Sequence, residues 1–209
     1  ALVDGTILPN TRLDEAQLAA SLGVSRPTIR EAMRILEQEG LVNRIPFRGS
    51  FVCEFSDVEI MELNSMRGSL ESLAIDTILE KNSTNKVFAP LERLLSEMER
   101  LEKQNESARD IFILHSQFHE TIIELANGKL LSEIWGNLTQ RFAIAMRLSQ
   151  NAHSIRGNED SIYSAHRKLL DSICSRNAEE IHAAMKNHIS YDKEINSSNG
   201  SKDGEEVQV

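Results

Sequence analysis

The chain has 209 residues, of which 40% are hydrophobic and 26% charged, and carries a net charge of −9 at pH 7. This is the composition of an ordinary globular protein, large enough for one big domain or two small ones. No apolar run approaches the ~20 residues needed to cross a bilayer, and no signal-like segment opens the chain, so a cytoplasmic protein without a membrane partner is expected.

The charge is unevenly spread. Residues 1–53 hold six Arg and no Lys against six Asp plus Glu, so that segment is neutral and the remainder carries the whole −9. A neutral, Arg-clustered N-terminal segment joined to an acidic one suggests two units with different partners. The two cysteines, Cys53 and Cys174, are far apart and in no motif, which suits buried structural thiols.

In chain order, "NTRLDEAQLAASLG" places Leu13, Leu18, Ala19 and Leu22 at helical spacing, with Asp14 and Glu15 at the positive end of a short helix that Gly23 stops. Ser25 is a good N-cap for the next helix and Pro27 falls in its first turn. That helix is expected to bury Ile29, Ala32, Met33 and Leu36, with Gly40 closing it. Two helices joined by "LGVS" make a helix-turn-helix pattern. "LVNRIPFRGSFVCEF" then alternates around Arg48-Gly49-Ser50, a β-hairpin or wing.

From Ser56 onward the pattern is helical. Ser56 and Asp57 open a long helix to about Lys81, and "NSTN" breaks it. Further helices are predicted at about 87–105, 108–127, 129–151, 159–175 and 177–195, with "NAHSIRGNED" a polar loop and residues 196–209 a disordered tail. The expected fold is mainly α: a winged helix-turn-helix over residues 1–55, then an all-helical bundle of about six helices over residues 56–195.

Arg26, Arg30 and Arg34 recur every fourth residue and share one helix face. Within that helix Arg34–Glu37 is the well-spaced ion pair. Guanidinium forks match guanine edges and phosphates. In a helix-turn-helix the N-terminal residues of the second helix reach base edges, which here selects Ser25, Arg26, Thr28 and Arg30. Arg48 and Gly49 at the wing tip can approach the minor groove or backbone, and Arg44 suits a phosphate.

These residues, above all "LGVSRPTIREAM", "LEQEGLV" and "RGSFV", resemble the winged helix-turn-helix of GntR-type bacterial transcription regulators. The likeness runs across nearly all of residues 4–52. It implies operator contacts from Arg26, Thr28, Arg30 and Gly49, and that the chain begins inside the family's first helix, part of which precedes residue 1. The chain departs from the family at Asn10, where Gly is usual, and at Ala16, where an Arg is common.

Four histidines lie on apolar helix faces: His115 and His119 beside Ile111, Phe118 and Ile122, His166 beside Leu169 and Ile173, and His188 beside Ile181 and Met185. One such residue alone reads as a satisfied core histidine. Four from three helices can converge on a bundle axis, where neutral imidazoles suit a divalent transition metal. His153 and His182 fall outside this set.

The helical region resembles the FCD effector domain of the FadR branch through "RGSLESLAI", "FHETIIELANGKLL" and "HRKLLDSI" with "AAMKNHI". The resemblance implies a metal-dependent pocket of one Asp and three His. The three His fall at His119, His166 and His188, and His115 stands in the Asp position. An all-imidazole set is softer, favouring Zn or Ni, and leaves the metal's charge to attract an anion. A degenerate site at His115 is the alternative.

Family effectors are small organic acids, and Arg67 matches a position that faces the pocket, where a guanidinium can pair with a carboxylate. A structural bridge to Glu71, four residues on, is the competing role. Arg141 and Arg147 are weaker effector candidates. The expected function is a homodimer that binds a palindromic double-stranded operator and answers to a small organic acid. The rival, a metal-dependent enzyme acting on a small carboxylate, lacks any HExxH, phosphate loop or nucleophile motif.

Overall fold

A computed structural model describes residues 7, 9–105, 107–156 and 161–193, with side chains excluded at 108, 146–156 and 190–193. The expected tail lies outside the described residues. β1 (Arg12–Leu13) leads into α1 (Glu15–Leu22), α2 (Arg26–Gln38), β2 (Val42–Ile45) and β3 (Gly49–Val52). Asp14 accepts from the amides of Ala16 and Gln17 at 2.8 and 2.9 Å and so sets the start of α1. Gly23 ends α1 at φ 66°. Ser25 caps α2 through the Thr28 amide.

β3 is the centre of a three-stranded antiparallel sheet of order β1-β3-β2. β1 has no counterpart among the expected elements. Leu13 belongs to it rather than to α1, because the Asp14 cap keeps the preceding residues extended. Leu13, Ala19, Ile29, Met33, Val42 and Val52 form one small core. Ala32, expected inside, is exposed, because only a narrow stripe of α2 meets the sheet and α1. Asn10 takes φ 63°, the left-handed conformation that Asn tolerates in place of Gly. The hairpin tip is Pro46 to Arg48, with Phe47 fully exposed, and Gly49 opens β3 at φ 105°.

Six helices follow among the described residues: α3 (Asp57–Lys81), α4 (Ala89–Lys103) after a 3-10 turn at Asn85–Phe88, α5 (Ala108–Ala126), α6 (Lys129–Arg156), α7 (Ile162–Ser175) and α8 (Ala178–Lys193). α3 begins with a reciprocal cap between Ser56 and Glu59. Its apolar face packs on α5, α6 and α8, while α4 packs on α5 and α7. The larger core gathers Ile75, Ile78, Leu91, Met98, Phe118, Ile122, Phe142, Leu170 and Ile173. α6 runs on through the first half of the stretch expected to be a polar loop. No described helix is long and apolar enough to cross a membrane.

Candidate nucleic-acid interface and metal centre

The N-terminal end of α2 is presented outward. Ser25, Arg26, Thr28 and Arg30 are exposed, as are Arg44 and Gly49 on the strands and Arg48 at the hairpin tip. The arginines of α2 are not left to repel one another. Arg30 Nε reaches Glu15 Oε2 on α1 at 2.8 Å, and Arg34 forks onto Glu31 at 2.7–3.2 Å. The expected Arg34–Glu37 pair is thus replaced by Arg34–Glu31. Arg30 remains 67% exposed, and such surface pairs contribute about 0–1 kcal/mol, so a phosphate or base can displace them. Arg34 on α2 and Arg44 and Ser50 on the sheet also line a cleft between the two.

α5 brings His115 and His119 to the bundle axis one turn apart, α7 supplies His166 and α8 supplies His188, and all four are buried. Ring centroids lie 4.7–5.2 Å apart for His115–His166, His115–His119, His119–His166, His119–His188 and His166–His188. His119 and His166 are therefore central, with His115 and His188 on opposite flanks. His119 Nε2 is 3.1 Å from His166 Nε2 and 3.4 Å from His188 Nε2. Two imidazole ligands of one ion, each ~2.0–2.1 Å from it, stand about 3 Å apart, so each of these two pairs has the spacing of ligands sharing a cation. His115, His119 and His166 can also offer atoms that all lie within 4.8 Å of one another.

Hydrogen-bond chemistry sharpens the fit. His166 Nδ1 is 2.6 Å from the Ile162 carbonyl, which only accepts, so Nδ1 carries the proton and Nε2 keeps a lone pair. His119 Nδ1 is 2.8 Å from Glu71 Oε2. With Glu71 ionised, His119 donates from Nδ1 and its Nε2 lone pair faces that of His166. Such an arrangement calls for a cation between them. With Glu71 protonated, the proton order reverses and His119 Nε2 donates to His166, which satisfies the cluster without metal. Burial pushes Glu71 up to about 7, against the lowering influence of Arg67 and His166. Burial also holds His115, His119 and His188 well below the usual imidazole range and brings His166 down to about 4. All four rings are neutral at pH 7, the form that ligates metal.

Glu71 is the residue that sequence reasoning undervalued, weighing it only as a partner for Arg67. It lies on the same stripe of α3 as Asn64, Arg67, Ala74 and Ile78, all buried. A charged residue at core spacing was the available signal. Arg67 is fully buried, with Nε 3.6 Å from Glu71 Oε1. The bridge and the position beside the imidazoles therefore coexist.

Arg141 is elsewhere: its Nε donates to the Glu39 carbonyl at 2.7 Å, at the end of α2. The side chains of Arg147 and His153 lie outside the described residues. A cleft of about 470 Å³ between α7 and α8 reaches His188. Cys53 and Cys174 are free thiols, and burial raises both.

Comparison with known proteins agrees with both units. Residues 1–52 match the bacterial regulatory proteins of the gntR family, and residues 62–191 match the FCD domain. An uncharacterized HTH-type transcriptional regulator, YdhC of Bacillus subtilis, is 26% identical over 193 residues, covering 92% of this chain and 84% of that protein. The gluconate operon transcriptional repressor of Bacillus licheniformis is 30% identical over 159 residues, 76% of this chain and 64% of the repressor. The same fold occurs in the crystal structure of a putative GntR transcriptional regulator from Rhodococcus sp. RHA1. There the TM-score is 0.76 at 22% identity, over 95% of this chain and 93% of that one. A winged helix-turn-helix followed by an FCD bundle across most of its length makes this chain a member of the GntR family of transcriptional regulators, in the FadR-like FCD branch.

Proposed function

We propose that the protein is a cytoplasmic, homodimeric transcription factor whose hold on a palindromic operator is set by a small organic acid bound near a metal in the helical bundle. Two copies of α2 enter successive major grooves, with Ser25, Arg26, Thr28 and Arg30 at base edges. Arg44, Arg48 and Gly49 meet phosphates or the adjacent minor groove. The names of its relatives support a regulator rather than an enzyme.

His119, His166 and His188 would hold the metal through Nε2, with His115 the fourth nitrogen donor, a set that favours Zn or Ni. Bound there, a divalent metal supplies a positive centre that a carboxylate effector can ligate. Glu71 fixes the His119 ring from its far side and returns one negative charge to a set of neutral ligands. Arg67 balances Glu71 and keeps the region cationic overall, which suits an anion.

The observation that carries this reading is the burial of four imidazoles around His119, whose Nε2 lies 3.1 Å from His166 Nε2 and 3.4 Å from His188 Nε2. Metal analysis of the purified protein, before and after supplying Zn or Ni, tests it. A thermal-shift screen of small organic acids with and without the metal tests the effector. Protein that takes up neither metal overturns the first half, and acids that shift melting equally without metal overturn the second.

A further inference from the structure

We infer that Arg141 is a positioning residue for DNA recognition: from the helical bundle it grips the C-terminal end of α2 and sets the angle at which that helix is offered to the groove. The inference rests on the DNA-binding reading above, while its principal readout does not.

α2 ends on Glu39, and like any helix it leaves carbonyl oxygens and a partial negative charge at that end. No basic residue of its own lies in its last turn. The missing cation comes from a helix about one hundred residues away in sequence. Arg141 Nε donates to the Glu39 carbonyl at 2.7 Å. Beside it, Gly40 sits at φ 69°, and a Cβ added there would overlap the Arg141 guanidinium. Gly40 is therefore required twice, for its left-handed backbone and for the approach of the side chain.

The same guanidinium charge acts on Cys53, just after β3, and on Glu59 in the first turn of α3. Arg141 thus stands where the end of α2, the exit of the wing and the start of α3 come together. Nearby, Cys53 is tied to Leu41 by a backbone bond of 2.9 Å, and Phe55 packs against the bundle core.

Arg141 is also anchored at its base. The next residue, Phe142, is buried in the bundle core, and Ala143 packs on Phe112. Phe112 in turn stacks on His115 with centroids 5.7 Å apart and planes 21° apart. The helix that holds the recognition helix is therefore two side-chain contacts from the histidine centre. A change in the packing of His115 bears on α6, and α6 bears on α2.

The test places spin labels at Ser21→Cys on α1 and Ser96→Cys on α4, both exposed positions, in a Cys53→Ser, Cys174→Ser background of the full chain. The distance distribution between them is compared for Arg141, Arg141→Lys and Arg141→Ala. A narrow distribution that broadens in Arg141→Ala and is partly restored by Arg141→Lys is expected, with circular dichroism and zinc uptake unchanged. Should Arg141→Ala fail to fold, Arg141→Gln, which keeps one donor and loses the charge, takes its place.

In parallel, a duplex selected by the parent protein from a random library is re-spaced between its half-sites. The parent is expected to reject the re-spaced duplex and Arg141→Ala to lose that discrimination. A distribution that is already broad in the parent, or unchanged in every variant, overturns the inference, as does undiminished spacing discrimination. Failure of every chain to bind any duplex would instead overturn the DNA-binding reading, and the label distances would still decide the role of Arg141.

Discussion

Glu71 shows how a single buried charge changes the chemistry of its neighbours. An isolated carboxylate in this core would be costly, and it persists because His119 and Arg67 flank it at 2.8 and 3.6 Å. Replacing it with Gln keeps the shape and a hydrogen bond but removes the charge that raises the basicity of His119. Zinc affinity should then fall about 10- to 100-fold. Competition with a chromophoric chelator reads this directly, and an unchanged affinity would place the metal away from His119. Arg30 makes the complementary case at the other end of the chain. Its pair with Glu15 is exposed and weak, so its value lies in what replaces Glu15. Arg30→Ala should cost about 1–3 kcal/mol of specific binding and relax base preference at one position, measured by titration against matched and mismatched duplexes. A uniform loss across all sequences would make Arg30 a phosphate contact instead.

Helices place these residues only if they sit at the right separation, and glycine sets one of those separations. A Cβ on Gly68 would overlap the Cδ1 end of Ile189 on α8, next to His188. Gly68→Ala should therefore cost about 1–3 kcal/mol in denaturant unfolding and weaken zinc uptake as α8 is pushed outward. Unchanged stability would mean that Ile189 simply turns aside. Across the bundle, Arg167 on α7 binds Glu92 on α4 through two bonds of 2.6 and 3.0 Å. The Arg167 hydrogen bonds hold Glu92 below its usual carboxylate range. Its folded value is thus depressed, so the clamp contributes above pH 4.5 and is lost as pH falls through the folded value. Both side chains are partly exposed, which limits the clamp to about 0.2–1 kcal/mol. Glu92→Gln should flatten the acid limb of the stability profile by that amount.

Element types were legible because periodicity and caps agreed. Ser25, Gly23 and Ser56 mark real boundaries, and the four inward histidines follow from apolar stripes. β1 was not legible, since two residues carry no period and pair only with a distant strand. The Arg30–Glu15 pair and the Arg141–Glu39 contact were equally hidden, because both join elements whose approach no local pattern encodes. Helix α6 overran its expected end because a run of polar residues carries no apolar period to tell a helix from a loop.

At the scale of the whole molecule, the reading above makes zinc and DNA two ligands of one protein, and their effects must be reciprocal. Ligand that binds only the folded chain stabilises it by about 2.7 kcal/mol when its free concentration is one hundred times its Kd. Zinc should therefore raise the melting temperature, and His119→Ala should abolish the rise while leaving metal-free DNA binding intact. If zinc alters the affinity for a selected duplex by some factor, the duplex must alter zinc affinity by the same factor. Duplex titrations with and without zinc, and zinc competition with and without duplex, measure the two sides of that cycle. The cycle requires equal factors wherever the metal sits, so a factor different from one that disappears in His119→Ala is what would assign the effect to the histidine centre. Retention of the zinc effect in His119→Ala would locate the responsive metal outside the histidine centre.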